Sequence, residues 1–324
     1  MATLVLLLRP DLQEDIRKPG LWSVETTAPG CIWKGRNMEK LIYSIADLTI
    51  CIETPHPLEI SEESDPFLKS EEAACDGQIT LVPVDSLQAM EGNGVWHQDR
   101  YYTCTEEGDI CHIRSVPGAP PYAMIAYKAN HHISISYLRD SRDMLFQSRY
   151  LLNMLGLEQL LLTYNALILH SSFIRWQGHG ILFSAPPGTG KSTQASLWES
   201  HMGADILNGD RAGIRHVNGT WYAYGLPYAG SSRIYRNECA PIRTIVVLRQ
   251  GPENVIRPMP LIPALRALLP EFSAQRWNSS FMNKMLDIAV DLLQEIPVYC
   301  LECRPDYEAV QLLYNTLTKE GIIC

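Results

Sequence analysis

The chain has 324 residues, of which 46% are hydrophobic and 19% charged, enough for about two domains with a sizeable core. This composition excludes a peptide, a collagen and a wholly disordered chain. Its net charge of −9 provides no global basic field to hold nucleic acid or an anionic membrane. Apolar runs such as residues 4–8 and 181–185 are far shorter than the roughly 20 residues of a membrane-spanning helix. We therefore expect neither nucleic acid nor a membrane as a partner.

The first residues, Met1-Ala2-Thr3 and a short apolar run, lack the basic leader and the cleavage site of a secretory signal, so the expected compartment is the cytoplasm. The nine cysteines are scattered, unlike the framework of a small disulfide-rich domain, and most are expected to be reduced. Cys300 and Cys303 form the only close pair. They lie in an alternating segment without a second pair to complete a zinc site, which favours a strand over a redox or metal site.

The first region, 1–37, is predicted to be poorly ordered, whereas the second, 38–143, is predicted to be folded. Residues 1–37 contain scattered Pro and Gly with little periodicity and are predicted to be a poorly ordered extension, with a regulatory arm as the competing interpretation. Residues 38–143 are predicted to be a β-rich region, because alternating apolar runs are separated by Pro, Gly and acidic turns. Its predicted strands are 41–53, 78–84, 100–104, 109–114, 122–127 and 131–138, and the acidic segment 59–72 is predicted to be a solvated loop.

The remaining residues, 144–324, are predicted to be an α/β domain. Apolar residues at helical spacing predict a helix over 144–162 that joins the two regions. The predicted strands are 166–176, 180–185, 204–207, 211–215, 221–225, 243–249 and 297–303, and the predicted helices are 191–202, 261–270, 282–295 and 306–318. Asn218-Gly219 predicts a tight hairpin between two of these strands.

The strongest motif is a phosphate-binding loop with Ala in the place of its first glycine. It reads Ala185-Pro186-Pro187-Gly188-Thr189-Gly190-Lys191-Ser192-Thr193 and is preceded by an apolar strand and followed by a helix-compatible segment. Glycine permits the backbone geometry that turns successive N–H groups inward, and the helix N-terminus adds a partial positive charge. We therefore predict that all nine residues contribute to a nucleotide phosphate site.

Within this loop, Lys191 is predicted to reach the β- and γ-phosphates and Thr193 to support the α-phosphate, while the Ser192 hydroxyl ligates Mg²⁺. Phosphoryl transfer also needs an acid outside the loop. Asp210, the last residue of the stretch 204–210, is predicted to be this acid, either as a metal ligand or beside the acceptor. The alternative is that Asp210 is an ordinary turn residue. His170 ends an apolar strand, where without further context a satisfied core histidine is the commoner interpretation.

His170, the turn 178–180, the phosphate loop and Asp210-Arg211 occur in the order and rough spacing of HPr kinase/phosphorylase catalytic domains, which the chain resembles over roughly residues 160–250. This resemblance implies a phosphoenolpyruvate-carboxykinase-like nucleotide-binding core, ATP and Mg²⁺ as cofactors, and His170 against the transferred phosphate with Asp210 near the metal. Segments 207–211 and 221–230 look like a bacterial HPr-kinase-related subgroup, some of whose genes accompany ribosomally made peptides.

The chain departs from the HPr kinase pattern at Gly209, where that family has the first of two aspartates, the one that resembles a catalytic base. Asp210 then takes both roles, or His170 or Asp205 assists, or turnover is weak. The segment after Gly225 also lacks the signature of the reverse reaction, so phosphorylase activity is not carried over. Arg233 and Arg236 are candidates for clamping a phosphate or an acidic substrate, with a surface loop as the alternative.

These observations together predict a cytoplasmic bacterial kinase that phosphorylates a hydroxyl, first a serine of a peptide or protein and next a small hydroxyl metabolite. Lys191 and the loop amides would stabilise the transferred charge, and His170 with Asp210 would position the acceptor. The alternative from another class is a nucleotide-gated binding protein, favoured by Gly209, and a carboxykinase-type lyase ranks below both. HPr kinases imply a homo-oligomer by analogy alone.

Overall fold

Two large sheets and the helices packed on them make up the part of the chain described by the computed structural model, which comprises residues 38–70, 74–90, 92–105, 108–128, 131–228, 230 and 232–323. The extension predicted for residues 1–37 lies outside the described residues. The mixed α/β class predicted from the sequence is confirmed, with a β-rich first half and an α/β second half.

The first sheet has nine strands in the order β3-β1-β2-β4-β9-β8-β7-β6-β5. The strands are β1 (Glu39–Ile45), β2 (Leu48–Thr54), β3 (Leu68–Lys69), β4 (Gly77–Val84), β5 (Val95–His97), β6 (Arg100–Thr105), β7 (Gly108–Arg114), β8 (Pro121–Lys128) and β9 (His132–Leu138). The pairs β2–β4 and β4–β9 are parallel, and the other neighbours are antiparallel. The loop predicted over 59–72 contains a 3-10 turn, Asp65–Phe67, and β3.

The single strand predicted over 41–53 is wrong, because the chain reverses within it. Ala46 and Asp47 both have positive φ, 51° and 60°, and form the tight turn of the β1–β2 hairpin. Such a turn usually carries Asn or Gly. Here neither residue is present, and the flanking residues on both strands are buried, so the sequence looks like one continuous apolar run.

The long helix predicted over 144–162 is also wrong. The structure has a 3-10 segment, Arg139–Met144, followed by two short helices, α1 (Ser148–Met154) and α2 (Leu157–Thr163). Gly156 separates the helices with a φ of +59°, a conformation that ends a right-handed helix. Most of their leucines belong to the same hydrophobic cluster as the nine-stranded sheet, so helical spacing identified the buried side chains but not the break.

Apart from the strand Val255–Pro258, which was not predicted, the second half matches the predicted elements within a few residues. It comprises β10 (Ala166–Trp176), β11 (His179–Ser184), α3 (Lys191–Met202), β12 (Asp205–Asn208), β13 (Arg211–Val217), β14 (Thr220–Gly225), β15 (Cys239–Gln250), β16 (Val255–Pro258), α4 (Leu261–Leu268), α5 (Ser279–Glu295), β17 (Val298–Cys303) and α6 (Tyr307–Lys319). Asn218 and Gly219 have positive φ in the β13–β14 turn, which confirms the predicted hairpin. The strand expected at Cys300 and Cys303 is confirmed as well.

The second sheet has eight strands, and β10 is the strand that organises the site. Its path is β11-β10-β13-β14-β15-β17-β16, with β12 paired to β10 and β11 paired to β15. The first half of β10, residues 166–170, pairs with β13, whereas residues 171–176 pair with β11. The end of β11 and the start of β13 therefore meet β10 at the same level.

The two halves share buried surface. One hydrophobic cluster includes Ile79, Leu160, Ile168 and Leu226, and the described residues belong to one compact unit. The domain boundary predicted between residues 143 and 144 stays a prediction. Although most cysteines were expected to be reduced, Cys51 and Cys75 form a disulfide. Among the described residues, no helix combines the length and the apolar character needed to cross a bilayer.

Candidate functional site

The predicted phosphate-binding loop connects β11 to α3. Gly188 and Gly190 have φ of +79° and +111°, and a Cβ built on either glycine would meet no atom within 4 Å. No side chain caps the N-terminus of α3, and its first turn carries no acidic residue. An open backbone concavity at an uncapped helix N-terminus has the geometry that a phosphate group requires.

Lys191, the first residue of α3, is buried, while Ser192 and Thr193 are exposed beside it. The Lys191 Nζ donates hydrogen bonds to the carbonyls of Ala185, at 2.6 Å, and Pro186, at 3.4 Å. Burial lowers the pKa of Lys191, and the carboxylates of Glu271 and Asp210 oppose this shift. Lys191 is therefore within electrostatic reach of two acidic side chains, although one of them lies 80 residues away in sequence.

His170 and Asp210 are brought to the loop by their common neighbour β10. His170 pairs with Arg211 of β13, and the next residue, Ser171, pairs with Ser184 at the end of β11. The Ser184 hydroxyl donates to the His170 carbonyl at 3.0 Å, and the Ser171 amide donates to the Asp210 carbonyl at 3.0 Å. The strand register thus places the predicted acid and the predicted histidine beside the beginning of the loop.

Asn208 fixes the turn that carries Asp210, residues 208–211, which we call the Asp210 turn. The fully buried Asn208 side chain accepts hydrogen bonds from the amides of Asp210 and Arg211, both at 2.9 Å. Its amide group donates to the carbonyls of Leu226, at 2.9 Å, and Tyr228, at 3.2 Å. One buried side chain therefore satisfies two amides and two carbonyls, and holds the Asp210 backbone in place.

His170 lies between two carboxylates, one of which the sequence did not predict. Its Nδ1 is 2.9 Å from the Glu271 Oε2, and its Nε2 is 3.7 Å from the Asp210 Oδ1. Glu271 is nearly buried, with 8% of its side chain exposed, against 29% for Asp210. We call His170, Asp210 and Glu271 the acid–base cluster. Because an ionised carboxylate only accepts hydrogen bonds, Glu271 places the ring proton on Nδ1 and leaves Nε2 as the acceptor.

Glu271 reaches the cluster from a 3-10 turn, Leu269–Glu271, that follows α4. The next residues are bound to β10: Phe272 forms a bridge with Leu169, and the Ser273 amide donates to the Ile168 carbonyl at 2.9 Å. The sequence signal for Glu271 was an acidic residue directly after the apolar helix 261–270, but nothing in the sequence indicated that it would face a strand about 100 residues earlier.

The other charged candidates are bound elsewhere. Arg233 pairs with Glu62 at 2.8 Å, and both side chains are more than 70% exposed. Asp205, considered as an assisting base, pairs with Arg175 at 3.0 Å and with Arg236 at 3.6 Å. Among the described residues, each of these side chains is thus held in an ion pair outside the acid–base cluster.

A cleft of about 560 Å³ adjoins the loop. It is lined by residues 186–189 of the loop, residues 247–250 at the end of β15, and Ala267 of α4. The Gln250 side chain donates to the Gly188 carbonyl at 3.2 Å, which connects the cleft wall to the loop. The cleft offers room for the part of a ligand that extends away from the phosphate site.

The donor set fits a nucleotide with Mg²⁺ better than a metal bound by protein alone. Among the described residues, no group of three or more His, Cys, Asp or Glu side chains is arranged to hold a metal ion. Mg²⁺ usually binds through one or two protein oxygens together with phosphates and water. The exposed Ser192 hydroxyl and the partly exposed Asp210 carboxylate are suitable oxygens for that mode.

No protein-family model matches the chain, and no curated protein matches it. Among solved structures, it is similar to the HPr(Ser) kinase/phosphatase from Coxiella burnetii, with 13% identity and a TM-score of 0.28. The match covers 48% of this chain and 89% of that chain. A likeness of this size carries no conclusion about activity, so function has to be argued from the residues of the chain itself.

Proposed function

We propose that this chain is a phosphotransferase that moves the γ-phosphoryl group of ATP to a hydroxyl, with a serine of a peptide or protein as the acceptor. The observation that supports this most is the meeting of the phosphate-binding loop with the acid–base cluster. A loop alone would account for nucleotide binding. A histidine held between two carboxylates beside that loop adds a group that can take up a proton from an acceptor.

In this proposal the loop binds and stabilises charge. The backbone amides at residues 188–193 and the Lys191 ammonium would bind the β- and γ-phosphates and stabilise the charge on the moving phosphoryl group. For this, Lys191 exchanges its bonds with the loop carbonyls for bonds with phosphate oxygens. Mg²⁺, held by Ser192 and Asp210 together with the phosphates, would neutralise part of their charge.

The acid–base cluster would supply the proton acceptor that Gly209 cannot supply. His170 Nε2 would accept the proton of the acceptor hydroxyl while Asp210 positions that hydroxyl. Glu271, bound to Nδ1 at 2.9 Å, would hold the ring in this orientation and stabilise the imidazolium that forms. The cleft beside Gly188 would accept the nucleoside part of ATP.

The direct test is transfer of labelled phosphate from γ-labelled ATP with Mg²⁺ to peptides and proteins encoded nearby, resolved by mass. Label on a serine that is lost in Lys191→Ala supports the proposal. Lys284→Ala is the matched control, because Lys284 also donates to a backbone carbonyl, that of Thr163, but away from the loop. Absence of any Lys191-dependent nucleotide binding would overturn the proposal.

Gly209 favours a second candidate, a nucleotide-gated binding protein without turnover. The two candidates differ in the consequence of Asp210→Asn. A kinase should lose turnover by about 10²–10⁴-fold, whereas a binding protein should keep an ATP-dependent interaction with its partner. Asp205→Asn is the matched control, because Asp205 lies on the adjoining β12 but pairs with arginines.

A further inference from the structure

The segment of residues 226–236, which we call the covering loop and of which residues 229 and 231 are not described, is attached along the Asp210 turn. The Arg236 amide donates to the Leu207 carbonyl at 2.8 Å, and the Gly209 amide donates to the Ile234 carbonyl at 3.3 Å. At its other end, the carbonyls of Leu226 and Tyr228 accept from the Asn208 side chain. The covering loop is therefore held at both ends against the turn of the acid–base cluster.

Two glycines let this loop approach the turn closely. A Cβ on Gly230 would lie 2.9 Å from the Cβ and Oδ1 atoms of Asp210. A Cβ on Gly209 would lie 1.9 Å from the Ser232 Oγ and 2.6 Å from the Ser232 Cβ. A side chain at either position would therefore force its neighbours to shift, and the Ser232 hydroxyl packs directly on the Gly209 backbone, beside Asp210.

The hydroxyls of Ser172 and Ser232 both lie against this turn, and they differ in whether the hydroxyl proton is used in a hydrogen bond. The fully buried Ser172 donates its proton to the Gly209 carbonyl at 3.2 Å. Ser232 is only partly buried, and its Oγ accepts a long bond, 3.4 Å, from the Ile234 amide. That bond does not use the Ser232 proton. Among the described residues, no hydrogen bond uses the Ser232 proton, and the segment that carries Ser232 is hydrogen-bonded to the Asp210 turn.

We propose that Ser232 is a phosphoryl acceptor within its own chain, which rests on the proposed kinase function. In this step the Ser232 Oγ forms a bond to the γ-phosphorus of ATP. The bond between that phosphorus and the oxygen bridging to the β-phosphate breaks, and ADP leaves. The hydroxyl proton passes to His170 Nε2, the same base that would serve an external acceptor. ATP is the only co-reactant, and the products are ADP and phosphoserine 232.

The test uses the full chain with γ-labelled ATP and Mg²⁺ and without an added acceptor, with the modified residue located by mass spectrometry. We expect label on Ser232, at a rate per molecule that does not depend on protein concentration. Ser232→Ala and Lys191→Ala should remove the label. Ser232→Thr should keep it, because a hydroxyl remains. Ser231→Ala, a change of the sequence neighbour, is the matched control and should label like the unmodified chain.

Label that persists in Ser232→Ala, or that is lost in Ser231→Ala alone, overturns the inference, and so does a rate per molecule that rises with protein concentration. If the chain transfers phosphate to an added peptide but never to Ser232, this inference fails while the proposed function stands. If no Lys191-dependent nucleotide binding is measured, both fail. Thermal unfolding of Ser232→Ala checks that the loss of label is not a loss of fold.

Discussion

The phosphate-binding loop is built from consecutive residues, 185–193, whereas the acid–base cluster draws on three segments of the chain. His170 and Glu271 are 101 positions apart and yet lie within hydrogen-bond distance. The loop depends on its own backbone conformation, with positive φ at Gly188 and Gly190. The cluster depends on which strands lie beside β10 and in what register. Substitutions that change local backbone conformation should therefore impair the loop, whereas substitutions that disturb strand packing should impair the acid–base cluster.

The cluster should be most sensitive to the buried side chain that fixes its turn. Asn208→Ala removes four hydrogen bonds at once and leaves the amides of Asp210 and Arg211 without that partner. We expect a loss of roughly 2–4 kcal/mol in the free energy of unfolding, measured by urea denaturation. The exposed Asn237, which donates to the Pro66 carbonyl at 3.3 Å, is the control, and Asn237→Ala should cost no more than about 0.5 kcal/mol. Equal losses would contradict the role given to Asn208.

The next largest effect is expected at Glu271, through His170. Glu271→Gln removes the charge beside Nδ1 and permits the opposite ring tautomer, so we expect kcat to fall roughly 100-fold. The KM for ATP should stay unchanged. Glu271→Asp, which keeps the charge, should recover part of the activity.

His216 and Glu295 provide the control for this prediction. They form a second histidine–glutamate pair, 3.9 Å apart, on β13 and α5. Glu295→Gln should leave kcat as it is. A Glu271→Gln enzyme that loses ATP affinity with an unchanged kcat would show that Glu271 supports the fold and not the proton transfer.

How far each part could be predicted from sequence follows from the same contrast. The loop, β10, α3 and the Asn218-Gly219 hairpin could be predicted, because the motifs and the hydrophobic periodicity that indicate them lie in consecutive residues. Glu271 was not, since only the contacts of Phe272 and Ser273 with β10 bring it to His170. The Ala46–Asp47 turn and the break at Gly156 were missed because buried apolar residues continue on both sides of each.

A smaller effect is expected when the aspartate pair of HPr kinases is restored at position 209. Gly209→Asp places a Cβ 1.9 Å from the Ser232 Oγ, so the covering loop has to shift, at a cost of about 1–3 kcal/mol. We expect a lower Tm and no gain in kcat. Combining it with Ser232→Ala should recover part of the Tm, because the nearest clashing atom is removed. A rise in kcat in the single variant would indicate that the turn can accept a second carboxylate without displacing the loop.

The smallest effect is expected for a glycine-to-alanine substitution in the phosphate-binding loop. This substitution tests backbone conformation separately from side-chain contacts. Gly188 and Gly178 have nearly the same φ, +79° and +80°, and a Cβ on either meets no atom within 4 Å. Replacing either glycine with alanine should therefore cost the same strain, about 1 kcal/mol of stability. Only Gly188→Ala, by projecting a methyl group from the phosphate-binding loop, should also weaken ATP binding, by roughly fivefold in isothermal titration. If Gly178→Ala in the β10–β11 turn weakens ATP binding equally, the effect comes from strain spread along β11, and the open concavity at Gly188 is not where the phosphates bind.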